Sequence, residues 1–492
     1  MWLCRRLTLS SPSPYTQVFP RSPDWLLVYS CCTRSIEVAT RPRCVRALAI
    51  VCLVLAGAAG CGAGAQKGPQ GIVHGRGAAF ADDRGPFLPL GATFFWGPWG
   101  YKFDRGRLER HLQFLAERGV DYVRVLGQVG APGRDPEDSW SDRPIDPRWN
   151  DPCPESGEGP ATCGTFDQVI AGFTDLAYDR YGLRVEWTIF GGTDFTPTPA
   201  SRLALVDRML AMSKGREHKI MHFEIANEFY HNGFRGPEGL DELRSLGRHL
   251  QDRTGVLVAL SAPRGSDCKV MQQMYAGGTG EVVTEHFSRS GDDEGWADVR
   301  SAWDLQSCEG LPPLRSSNEP IGPFASVRAE GDPLRLSMSA AMAYLSGVGA
   351  YVLHTGPGIR GGGRADVERG RPADIWAVPE IDRILQALAH VRRVLPADLP
   401  AWTRHEVRED DPVVLRGGGG APVRAYIATK ARQFVVLPLA VEGPLTVQAR
   451  VPVKLRVVHP VTGAALQSVS LAASATVTVT GAAAYIIVGE AT

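Results

Sequence analysis

Two glutamates stand where this chain could do chemistry, and each follows an asparagine. Asn227-Glu228 closes the largely apolar stretch 220–228, and Asn318-Glu319 closes 314–319. A carboxylate at the end of a buried strand, where a loop begins, projects into whatever mouth the strands surround. Two of them facing each other at roughly 5–5.5 Å can divide the work of breaking a glycosidic bond. One protonates the leaving oxygen and the other attacks the anomeric carbon. At that range like charges push the two pKa values apart, so one group keeps a proton near neutrality while the other is ionised. Neither dipeptide is specific alone; the pair matters only if the fold brings both to one place.

The elements around them alternate. Strand-like runs occur at 87–95, 121–126, 183–190, 220–228, 256–260, 282–287, 314–319 and 350–354, each followed by a helical pattern. The helix at 105–118 shows the expected punctuation, Asp104 before it and Gly119 after it. Eight strand–helix units predict an α/β fold in which a parallel sheet closes on itself as a (β/α)8 TIM barrel. Glu228 and Glu319 then end the fourth and seventh strands, on opposite sides of one mouth. From about residue 401 the helices stop, and short β-branched runs separated by Gly, Pro and Ala predict a small all-β sandwich. The expected domains are an N-terminal extension with signal (1–61), a linker (62–75), a catalytic barrel (76–398) and a β-sandwich (399–492).

On that frame, Asn227-Glu228 and Asn318-Glu319 resemble the two signatures of clan A of the retaining glycoside hydrolases, the cellulase-, mannanase- and β-glucosidase-like barrels. The resemblance spans about 87–396. It implies that Glu228 is the acid/base, Glu319 the nucleophile, and Asn227 a ligand of the sugar 2-hydroxyl. It further implies that Arg124, in Tyr122-Val123-Arg124-Val125, hydrogen-bonds the nucleophile, and that His286 belongs to the site. The match is incomplete. Ser288 stands where an aromatic hydroxyl is common, and strand eight ends in Val352-Leu353-His354-Thr355 without a Trp. Strict alternation also points Glu224 inward, where it needs a cationic partner, Arg124 or Arg184.

Aromatic residues follow several strands. Trp96 and Trp99 are the candidate sugar-stacking residues, with Tyr230 close to Glu228. Asp194 is either a sugar ligand or a turn cap. Lys+Arg and Asp+Glu both number 53, and this zero net charge argues against nucleic acid and for a neutral carbohydrate partner. The sequence contains no nucleophile elbow, phosphate loop or paired-His metal helix, so neither metal nor organic cofactor is expected. The reading is a retaining β-glycoside hydrolase. Its alternatives are a non-catalytic glycan-binding surface lipoprotein and a transglycosylase using the same residues.

Arg41, Arg43 and Arg46 precede an apolar run ending in Leu55-Ala56-Gly57-Ala58-Ala59-Gly60-Cys61. This order describes a secretory signal, and small residues before Cys61 resemble a bacterial lipoprotein cleavage box. The expected location is therefore outside the cytoplasm, lipid-anchored to a membrane through Cys61, otherwise secreted or periplasmic. Four later cysteines suit an exported protein, paired as Cys153–Cys163 and Cys268–Cys308. Residues 1–44 lack periodicity, and translation is expected to start near Val45. Mass spectrometry checks both expectations: the mature protein should give a lipid-modified Cys61 peptide, and a peptide from residues 1–40 found in the precursor would refute the later start.

Overall fold

The computed structural model describes residues 69–129, 144–152, 163–263, 267–287, 296–305, 308–326, 328–361 and 369–492. All of these lie in one compact unit, Gly68–Thr492. Cys61, Trp140, Cys153 and Ser288 lie outside the described residues.

Eight parallel strands close a barrel: Leu90–Thr93, Tyr122–Gln128, Arg184–Phe190, Ile220–Ala226, Val258–Ala259, Val282–Glu285, Leu314–Ser317 and Ala350–Leu353. Each pairs with its sequence neighbour, and the eighth returns to the first through Leu353 opposite Ala92. The outward set, including Val123, Val125, Trp187, Ile189, Phe223 and Ile225, is fully buried beneath the helices. Burial of this face beneath the helices explains the apolar residue at every second position, while the inward positions of strands two, three and four carry Arg124, Glu186 and Glu224. Side-chain caps fix the helix starts. Asp104 accepts from the Arg107 amide, and Thr165 makes a reciprocal capping box with Gln168. The expected Cys268–Cys308 bridge is present, with Cα atoms 5.3 Å apart.

The segment ahead of the barrel was not legible from the sequence. A three-stranded antiparallel meander, His74–Arg76, Ala79–Asp82 and Gly85–Phe87, precedes the barrel. Val73 and Phe80 join Leu314, Val282 and Val352 in a separate apolar cluster at the N-terminal end of the barrel strands. Asp82 meets Arg184 of the third strand at 3.1 Å, with both side chains buried. The stretch expected as linker (62–75) thus contributes its last residues to this plug. The first expected strand, 87–95, accordingly divides into the end of the meander and the barrel strand Leu90–Thr93.

After the barrel come a six-stranded and a three-stranded antiparallel sheet. In the six-stranded sheet the central strands Ala425–Lys430 and Gln433–Pro438 are buried on both faces. Ile427, Phe434 and Val436 fill the core between the two sheets. Tyr426, Ala428, Val435 and Leu437 face the other way into the barrel's core, where Tyr426 lies 4.6 Å from the Trp303 ring. Thr403–Glu406 and Ala465–Leu471 form the two outer strands of this sheet and are largely exposed. Edge strands with polar faces carry no apolar run to read.

Candidate active site

Barrel strands two, three, four and seven each send a polar side chain into the buried interior beneath the mouth. Arg124, on the second strand, is completely buried and is the hub. Its Nη1 donates to Glu319 Oε1 at 2.9 Å. Its Nη2 donates to Glu224 Oε2 and to Asn227 Oδ1, both at 2.8 Å. Its Nε lies 3.2 Å from Glu186 Oε1. One guanidinium therefore serves three carboxylates, from strands three, four and seven. Burial alone would weaken its hold on the proton, but Glu224, Glu319 and Glu186 outweigh this and raise its pKa further.

Glu224 is also fully buried, and its partner is Arg124 rather than Arg184. Its Oε2 accepts from Thr188 Oγ1 at 2.6 Å as well as from Arg124, and its Oε1 accepts from Asn318 Nδ2 at 2.9 Å. Desolvation pulls its pKa up, yet the Arg124 charge and the Thr188 hydrogen bond hold it below the usual carboxylate value. Glu224 thus ties together the two Asn-Glu corners: Asn318 sits on one oxygen, and Asn227 shares Arg124 with the other.

Glu228 closes strand four with φ at +41°, a left-handed conformation uncommon for a residue with a side chain. Local bonds hold this corner. The Phe229 amide donates to Ser261 Oγ at 2.9 Å, and the Asn232 side chain donates to the Asn227 carbonyl. The Glu228 carboxylate is about a quarter exposed, whereas that of Glu319 is nearly covered. His286, at the end of strand six, lies between them. Its Nδ1 is 3.1 Å from Glu228 Oε1 and 3.6 Å from Glu319 Oε2.

One ligating atom each from Glu228, His286 and Glu319 falls within a mutual 4.8 Å, a grouping that could hold a metal ion. The same spacing also allows two carboxylates to act on one bond from opposite sides. Strand eight adds His354, whose Nε2 is 3.9 Å from Glu319 Oε2 and whose Nδ1 pairs with Thr93 Oγ1 at 2.8 Å. Thr93, His354 and Glu186 carry no motif that marks them in the sequence. Their inward parity was the available signal.

One aromatic expectation, that for Trp96, needs correction. Trp96 is fully buried, donates its indole N–H to the Pro357 carbonyl at 2.9 Å and packs on Phe94 and His111. A ring with no accessible face cannot stack on a sugar, so Trp96 is core. Trp99 is half-buried, edge-on to Trp96 and tilted against Phe103. Tyr230 is half-buried against Phe229 and His231. Asp194 stands exposed in the loop after strand three.

Solved structures share this architecture. A glycoside hydrolase family 5 protein from Bacteroides vulgatus aligns with a TM-score of 0.62 at 13% identity, over 86% of this chain and 92% of its own. Another glycoside hydrolase aligns at 0.61 and 12% identity, over 86% of this chain and 97% of its own. At such identity the likeness establishes the fold. No protein-family model and no curated protein matches the sequence.

Arg124→Met removes the shared cation and leaves Glu186, Glu224 and Glu319 facing one another. It should destabilise the protein by about 3–5 kcal/mol at pH 7, the usual cost of orphaning buried charge. In the wild type, the depressed pKa of Glu224 contributes stability above the unfolded carboxylate pKa, and that contribution is lost as pH falls through the folded value. In the variant, repulsion and burial push Glu224 upward, so acid favours folding. Urea denaturation should therefore show the gap between the two proteins narrowing from pH 7 toward pH 4. A gap that is constant across that range would contradict this electrostatic account.

Proposed function

We propose that this protein is a retaining β-glycoside hydrolase acting on a neutral oligo- or polysaccharide, exported and held at a membrane through a lipidated Cys61. The observation that carries the reading is the approach of Glu228 and Glu319 oxygens to within 4.8 Å, although their strands lie across the barrel from each other. That separation suits direct attack by one carboxylate. An inverting pair needs roughly 6.5–9.5 Å to admit a water. The folds of the two glycoside hydrolases described above agree with this reading.

Arg124 biases Glu319 toward the carboxylate, the form that attacks the anomeric carbon. Glu228, the more exposed of the two, gives its proton to the leaving oxygen. In the second step it takes a proton from the water that displaces Glu319. His286 Nδ1 is in reach of both carboxylates, at 3.1 Å from Glu228 Oε1 and 3.6 Å from Glu319 Oε2. The Asn227 side-chain Oδ1 is engaged by Arg124, so its side-chain N–H2 is the group it offers to a sugar hydroxyl.

The test compares wild type and Glu319→Gln, as mature proteins from residue 62, on β-glucans, mannans, xylans and galactans. Sugar release by the wild type and at least about a thousandfold loss in the variant are expected. Equal release by both proteins would remove Glu319 from the reaction. Binding of one glycan without release, unchanged in the variant, would replace the hydrolase with a glycan-binding protein.

A further inference from the structure

The histidine that ends strand eight has no part in the two-carboxylate scheme, yet its placement is highly constrained. His354 and Thr93 lie at the ends of adjacent barrel strands, in the register that sets Leu353 opposite Ala92. Both are buried, with His354 0% and Thr93 1% exposed. Imidazole Nδ1 is 2.8 Å from the Thr93 hydroxyl, and Nε2 is 3.9 Å from Glu319 Oε2. The Phe95 ring meets the imidazole edge-on at 6.2 Å.

Backbone contacts hold both partners in place. A Cβ on Gly322 would lie 1.9 Å from the His354 carbonyl oxygen, and one on Gly358 would lie 2.0 Å from that of Thr93. Loops seven and eight therefore press on this pair at a distance only glycine permits.

We propose that His354 is a positioning residue for Glu319, held by Thr93 in the tautomer with its proton on Nε2, and that this N–H stabilises the Glu319 carboxylate as it leaves the sugar. The inference rests on Glu319 being the nucleophile. An ionised carboxylate can only accept hydrogen bonds, so the nitrogen facing it must carry the proton for the contact to be attractive. Nδ1 is then the acceptor, and a hydroxyl is a group that can donate to it.

The two oxygens of Glu319 are thereby distinguished. Oε1 is fixed by the Arg124 guanidinium, and Oε2 faces the two imidazoles at longer range, so Oε2 forms the bond to the anomeric carbon. In the second step the carbon–Oε2 bond breaks and its electron pair returns to Glu319. Water oxygen bonds to the carbon, and the water proton passes to Glu228. The 3.9 Å spacing exceeds a hydrogen bond. Contacts of this kind are often long before substrate binds and tighten in the reacting complex.

The test has two readouts. Long-range proton–nitrogen NMR on histidine-labelled protein, assigned against His354→Gln, reads the tautomer directly. We expect Nε2 to be protonated and Nδ1 bare in the wild type, and a mixture in Thr93→Val. Kinetics on the dinitrophenyl glycoside of the sugar that the wild type releases read the second step. His354→Phe should lower kcat by about 10–100-fold, with kcat/KM changed by no more than about threefold, because loss of one donor affects only the departure of Glu319. His354→Gln, which restores an N–H, should recover part of kcat.

A protonated Nδ1 in the wild type overturns the proposal. So does a folded His354→Phe protein whose kcat and kcat/KM fall together, the pattern of a merely structural defect. A wild type that cleaves nothing sinks the hydrolase reading and the leaving-group role with it. In that case the tautomer measurement still decides the Thr93 arrangement.

Discussion

One buried guanidinium decides the architecture of this site. Arg124 is surrounded by carboxylates from three other strands, of which Glu186 and Glu224 are fully buried and Glu319 nearly so. Burying ions is unfavourable unless they are paired with good geometry. The cation therefore sets where Glu186, Glu224 and Glu319 can lie, and through them where strands three, four and seven stand relative to strand two. Glu224 extends the constraint to both asparagines. Consequently, the two corners that carry Glu228 and Glu319 are spaced by a hydrogen-bonded network rather than by loop geometry alone. Together with the local bonds to Ser261 and from Asn232, this network sustains the strained backbone at Glu228.

The rest of the molecule supports that network from below and behind. The N-terminal meander closes the barrel's lower end and places Asp82 against Arg184, so the third strand carries a paired charge at its base as well as Glu186 above. The six-stranded sheet packs one face into the barrel's core and the other into its partner sheet. Its period-two alternation serves two cores at once, which fits a scaffold more than a sugar-binding face.

Much of this was legible in the chain because strand-like segments with an apolar outward face alternate with helical patterns eight times, and because Asn-Glu at two strand ends is an unusual coincidence. Arg124 and His286 could be placed by strand position, and Glu224 by parity. The opposite end of the scale is equally physical. The edge strands Thr403–Glu406 and Ala465–Leu471 are exposed and polar, so they carry no pattern. The meander strands are three or four residues long, below the length at which alternation can be recognised. Trp96 shows a different limit. An aromatic residue just past a strand end suits sugar stacking or core packing equally well, and only the fold shows that its ring is enclosed. The Thr93–His354 pair joins residues 261 positions apart, so neither member could be given meaning without the closed barrel.

The central claim is that Glu228 and Glu319 act by double displacement, and the configuration of the first product tests it most directly. Proton NMR of the hydrolysis mixture, recorded within the first minutes on a β-linked glycan the protein cleaves, distinguishes the two anomers before they equilibrate. The account predicts that the β-anomer appears first and the α-anomer only later, by mutarotation. Initial release of the α-anomer would mean a single inverting step, and the nucleophilic role assigned to Glu319 would be wrong.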